Sequence, residues 1–126
     1  MAIRFNHTVL FSRDAARSSR FTAEVLGLPA PRLSGPFHVI DLADEASLDY
    51  AEARGDVHGQ HVAFLVSDAE FDAILARIRE RGLEHWADPR KARPGQINFH
   101  NGGRGVYFDD PDGNHLECIT APYAKV

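Results

Sequence analysis

Hydrophobic and polar positions alternate along this chain with two periods that take turns. Residues 5–11 repeat with period two, which predicts a strand carrying Phe5, His7, Val9 and Phe11 on one face, so that His7 looks onto an apolar surface. Phe21, Val25 and Leu28 then recur at helical spacing, opened by Asp14 as N-cap and closed by Gly27 and Pro29. Residues 29–36 are turn-rich. Residues 37–42 and 46–51 read as two strands joined by Ala43, Asp44 and Glu45, with Asp49 sharing a face with Ser47 and Ala51.

The second half follows the same order. A polar connector with Gly55 and Gly59 precedes a strand over residues 60–66, which places His61, Ala63 and Leu65 on one face. Ser67 and Glu70 have capping-box spacing, Phe71, Ile74, Leu75 and Ile78 form a helical stripe, and Gly82 ends it. Residues 83–89 suggest a strand before a polar loop over residues 90–101. Residues 106–109 and 116–120 then make a hairpin around Asp110, Pro111, Asp112, Gly113 and Asn114. Alternation puts His115, Glu117 and Ile119 on one face of its second strand and Leu116, Cys118 and Thr120 on the other.

The halves also match residue by residue. His7 falls on His61, Asp14 on Asp68, Asp44 on Asp112, and Asp49 on Glu117. An internal period of this kind is a fold-level signal, and it predicts two βαβββ modules, about 1–54 and about 55–126, within one domain.

Composition narrows the function classes. The 126 residues carry 14 Lys and Arg against 18 Asp and Glu, a net charge of −4 with no basic cluster suited to nucleic acid. A single cysteine, Cys118, forms no internal disulfide and fits a reducing cytoplasm. No apolar run approaches the ~18 residues of a membrane span, and none resembles a signal peptide.

Two histidines at repeat-equivalent positions and a carboxylate on a strand face suit a divalent metal. His7, His61 and Glu117 would supply two imidazole nitrogens and one anionic oxygen, leaving positions open for water or substrate. Asp49 is the candidate fourth ligand. Fe(II), Mn(II), Zn(II), Ni(II) and Co(II) all suit such a set.

The carrying stretches are Asn6-His7-Thr8, the helix end Phe21-Thr22-Ala23-Glu24-Val25-Leu26-Gly27-Leu28-Pro29, His61-Val62-Ala63-Phe64, and the run from Tyr107 to Glu117. On these residues nearly the whole chain resembles the vicinal oxygen chelate superfamily of glyoxalases, extradiol dioxygenases, fosfomycin-resistance transferases and bleomycin-resistance proteins. The resemblance implies an α+β fold in which the paired βαβββ modules form an open cup around the metal. It maps the ligands onto His7, His61 and Glu117, and implies a homodimer in which His7 comes from the partner of the chain giving His61 and Glu117. It implies a metal-dependent enzyme, a lyase, isomerase or ring-cleaving dioxygenase, acting on a small oxygenated substrate that chelates the metal. Tyr107 and Glu117 are then the catalytic residues. His115 would orient Glu117 or touch substrate, and Trp86 and Arg104 would flank the mouth. Two departures stand out: Val9 replaces the threonine of the fosfomycin branch, and Asp49 replaces the glutamate of glyoxalase I. The alternative is a metal-free module that sequesters a small molecule, as bleomycin-resistance proteins do.

Overall fold

A computed structural model describes residues 2–123. The chain forms two compact units, Met1–Gly59 and Gln60–Val126. No helix among the described residues is long and apolar enough to cross a membrane.

The first unit is a four-stranded sheet in the order β1-β4-β3-β2 with one helix. Its elements are β1 (His7–Ser12), α1 (Ala15–Leu26), β2 (Arg32–Ser34), β3 (Phe37–Asp41), a 3-10 turn (Ala43–Glu45) and β4 (Ser47–Glu52). Asp14 caps α1 by accepting from the Arg17 amide at 3.1 Å. Gly27 ends it in the left-handed region, φ 74°, and the Leu28 amide reaches back to the Ala23 carbonyl. The helix packs on β3 and β4, which buries Leu10, Val25, Ile40, Leu48 and Tyr50. In that core the Thr22 and Tyr50 hydroxyls satisfy each other at 2.8 Å.

Two expectations change here. Residues 29–36, read as turn alone, contain the short strand β2, whose three residues are all exposed. The helix also covers the other face of β1: Leu10 and Ser12 are buried, while Phe11 is 55 % exposed and Phe5, outside the strand, is 68 % exposed. His7 thus lies on the uncovered face of its sheet. Alternation separates two faces without saying which one the helix takes.

The second unit repeats the plan with β5 (His61–Leu65), α2 (Asp68–Glu80), β6 (Gly105–Asp109) and β7 (His115–Ile119), in the order β5-β7-β6. Both arms of the capping box are formed, Ser67 amide to Glu70 carboxylate at 2.8 Å and Glu70 amide to Ser67 hydroxyl at 3.1 Å. Phe71, Ile74, Leu75 and Ile78 are buried. The strand expected over residues 83–89 shrinks to a bridge at Trp86, whose amide and carbonyl bond those of Tyr107 on β6 at 2.9 Å each. Pro89 and Pro94 cannot donate to a ladder, which limits pairing beside it.

Register shows how far the repeat goes. In the first unit β1 runs parallel to β4, with His7 opposite Ser47 and Val9 opposite Asp49. In the second, β5 runs parallel to β7, with His61 opposite His115 and Ala63 opposite Glu117. The acid sits opposite the second residue after the histidine in both.

Candidate metal centre

The hairpin turn fixes the geometry of the second sheet. Asp110 accepts from the amides of Asp112 and Asn114 at 2.9 Å and from the Asn114 side-chain amide at 2.8 Å, while Gly113 supplies φ 83°. Asn114 in turn accepts from the Gln60 amide at 2.9 Å, and the His115 amide donates to the Gln60 carbonyl at 2.7 Å. These bonds lock the start of β5 to the turn and set its register on β7. One face then carries His61, His115, Glu117, Tyr107 and Asp109, while Val62, Val106, Phe108, Leu116 and Cys118 lie on the other.

Glu117 lies at the centre of the first face, only 2 % exposed. A buried carboxylate costs several kcal/mol unless donors meet it, and two side chains do. His61 Nε2 stands 2.8 Å from Oε1, and because a carboxylate only accepts, this nitrogen carries the proton. The Tyr123 hydroxyl is 2.9 Å from Oε2 and 3.2 Å from Oε1. Tyr107 sits directly across from Glu117 in the antiparallel pair, with its hydroxyl 3.5 Å from that of Tyr123. Burial raises the Tyr107 phenol above its ordinary range, and Tyr123 and the charge on Glu117 push it the same way. It stays a proton donor. On the opposite face burial, with Glu117 adding to it, pushes the Cys118 thiol up to about 12, so it is no nucleophile.

Rings wall this face. His115 stacks on Tyr107, centres 5.1 Å apart and planes at 15°, and meets His61 edge-on at 5.6 Å. Trp86 stands 6.2 Å from His115 and carries Lys91 Nζ at 4.6 Å from its ring centre. His115 does not orient Glu117: its Nδ1 bonds Asp109 at 2.6 Å, and Asp109 also holds Lys91 at 2.6 Å. Asp109 and His115 are a cross-strand pair, so the hairpin register makes this bond. Its other ring nitrogen, Nε2, is buried with no partner among the described residues.

The structure thus brings together His61, Glu117, Tyr107, His115 and Trp86 of the expected residues. Arg104 departs. Its parity matches Val106 and Phe108, so it lies on the helix face, where its guanidinium binds Asp72 at 2.7 Å and Asp68 at 3.0 Å and covers the Phe71 ring. Those bonds clamp α2 onto β6. His7 and Asp49 belong to the first unit, where His7 Nδ1 faces Asn6 Oδ1 at 2.7 Å and Asp49 accepts from the Ser47 hydroxyl at 2.7 Å. Tyr123 was missed, because a lone aromatic beyond the last strand has no periodicity to reveal it.

The His61 and Glu117 donors fit a shared cation, which would take the place of the proton on His61 Nε2. An imidazole nitrogen and a carboxylate oxygen are both ligand types for a divalent cation, and the hairpin register holds His61 Nε2 2.8 Å from Glu117 Oε1 on one face. Among the described residues no three His, Cys, Asp or Glu side chains form a metal-holding group, so this pair is what one sheet supplies.

Comparison with known proteins agrees with this architecture. The model of the Glyoxalase/Bleomycin resistance protein/Dioxygenase superfamily matches residues 4–118, and the chain belongs to that family. Among solved structures, Oxidase ChaP-H1 is 53 % identical with a TM-score of 0.95, covering 98 % of this chain and all of that one. Oxidase ChaP-H2 is 48 % identical with a TM-score of 0.95, over 99 % of this chain and 98 % of that one. Glutathione transferase FosA of Serratia marcescens is 30 % identical, over 94 % of this chain and 90 % of its own length.

Proposed function

We propose that this chain is a metal-dependent enzyme that oxidises, at the expense of dioxygen, a small molecule presenting two neighbouring oxygens. The observation that carries the reading is the pair of donors on β5 and β7, His61 Nε2 and Glu117 Oε1, set 2.8 Å apart by the hairpin register. The reaction class draws on the two oxidases that match the chain from end to end at about half identity. His7, the repeat equivalent of His61, is the third ligand, delivered by the partner copy in a homodimer. Asp49 keeps its bond to Ser47, which leaves a position open.

The ion, when bound, supplies Lewis acidity and, as Fe(II) or Mn(II), electron transfer toward dioxygen. The chain's own groups do the rest. The Tyr107 phenol, held protonated by burial, donates to a substrate oxygen on the face it shares with Glu117. Trp86, Tyr107 and His115 form an aromatic wall that keeps bulk water from that oxygen.

Reconstitution under argon with Fe(II), Mn(II), Zn(II), Ni(II) or Co(II) should give close to one ion per chain for one of them, lost in His61→Ala. Oxygen uptake with catechol- and hydroxyquinone-type compounds should then need both metal and His61. Binding below about a tenth of an equivalent overturns the reading in favour of a metal-free binding module. Metal binding with glutathione consumption and no oxygen uptake would move the chain to the transferase class of FosA.

A further inference from the structure

The two oxygens of Glu117 have different partners. Oε1 is 2.8 Å from His61 Nε2, whereas Oε2 is the nearer oxygen to the Tyr123 hydroxyl, 2.9 Å against 3.2 Å. A phenol has one proton, and this one goes to Oε2. The Tyr107 hydroxyl makes only the longer 3.5 Å contact to Tyr123, which leaves its own proton for a substrate oxygen.

The path that delivers Tyr123 is built into the fold. Beyond β7 the Thr120 amide donates to the Arg104 carbonyl at 2.9 Å, and the Thr120 hydroxyl accepts from the Arg104 amide at 2.8 Å. The chain there passes so close to Gly103 that a Cβ would stand 2.6 Å from Thr120 Oγ1 and 2.7 Å from Ala121 Cβ. Any larger residue at 103 would push the segment off its course. With that course held, the phenol of Tyr123 reaches the buried carboxylate.

We propose that Tyr123 is a positioning residue that makes Glu117 bind the metal through Oε1 alone. The inference rests on the metal-centre reading above and adds the mode of ligation. A carboxylate using both oxygens takes two coordination positions, and one using a single oxygen takes one. Holding Oε2 on Tyr123 therefore keeps a position free for a substrate that arrives with two neighbouring oxygens. Without the phenol, the buried Oε2 loses its nearest donor among the described residues, and turning to the cation is how it is satisfied.

The test compares wild type, Tyr123→Phe and Tyr123→Gln, each shown folded by circular dichroism. Zn(II)-loaded samples are counted for light-atom ligands by X-ray absorption, and Co(II)-loaded samples are read by visible spectroscopy. Tyr123→Phe should gain one oxygen ligand and lose Co(II) visible intensity, as a higher coordination number does. It should also bind catechol, used as a chelating probe, about 10-fold more weakly, the low end of the effect of removing a group that orients a ligand. Tyr123→Gln, which keeps a donor, should restore all three. If wild type and Tyr123→Phe bind metal with the same ligand number and spectrum, the proposal is wrong. If neither holds metal, the metal-centre reading has failed and takes the proposal with it.

Discussion

Replacing Glu117 by Gln keeps the side chain's volume and removes its charge, and the structure says where each consequence falls. Without metal, the wild-type carboxylate is 2 % exposed and is met by His61 and Tyr123 among the described residues. Removing that buried charge relieves a desolvation cost while losing part of the hydrogen bonding, so the metal-free variant should melt within about 1 kcal/mol of wild type. With metal the two should separate. A cation at 100 times its Kd stabilises the native state by about 2.7 kcal/mol. For a chain of 126 residues, an unfolding entropy of about 2.1 cal/mol/K per residue converts this to a rise of about 10 °C. If the neutral amide weakens binding by about 100-fold, the same concentration only matches the variant's Kd, leaving about 0.4 kcal/mol and a rise of under about 2 °C. Calorimetric melting of chelator-stripped protein, at fixed protein concentration with and without added ion, reads both numbers. A metal-induced rise in Glu117→Gln equal to that of wild type would refute the assignment, since the ion would then be held elsewhere.

Other consequences are as direct. Cys118, with its thiol raised to about 12 from an ordinary 9.0, should resist a disulfide reagent at pH 8 in the native protein and react once when unfolded. Because the unfolded thiol ionises first, stability should fall as pH climbs from about 9 toward 12, and Cys118→Ala should flatten that decline. Ser67→Ala removes one arm of the α2 capping box and should cost about 1 kcal/mol, a drop of about 4 °C read by thermal melting. Arg104→Met should lower the melting temperature by loosening α2 from β6 yet leave the metal Kd, measured by titration calorimetry, within about twofold of wild type, since its guanidinium is on the helix face. A larger change in Kd would return Arg104 to the metal-binding face.

Much of this was legible in the residues because the signals were local. The capping box at Ser67, the Gly27 stop and the Asp110–Asn114 turn each bring their own hydrogen-bond partners within a few positions. The paired histidines and acids showed through the repeat, which does the work of an alignment inside one chain. Arg104 and the Asp109–His115 bond were within reach too: parity along β6 puts Arg104 with Val106 and Phe108, and the hairpin register sets Asp109 opposite His115. What stayed hidden depends on chain paths with no period. Three exposed residues make β2 only because β3 lies beside them, and Trp86 pairs with Tyr107 as a single bridge within a proline-containing loop. Tyr123 reaches Glu117 through a close pass at Gly103 that no pattern of apolar residues encodes.

The shared register of the two halves also bears on how such a chain evolves. Val9 opposite Asp49 and Ala63 opposite Glu117 occupy the same place in their sheets, so the acids differ by one methylene on an equivalent backbone. Asp and Glu codons are one base change apart. A point mutation at position 49 would therefore set a second long acid at the mirrored location, with no rebuilding of strand, turn or helix. The first half thus carries the same arrangement one nucleotide from matching the acid of the second.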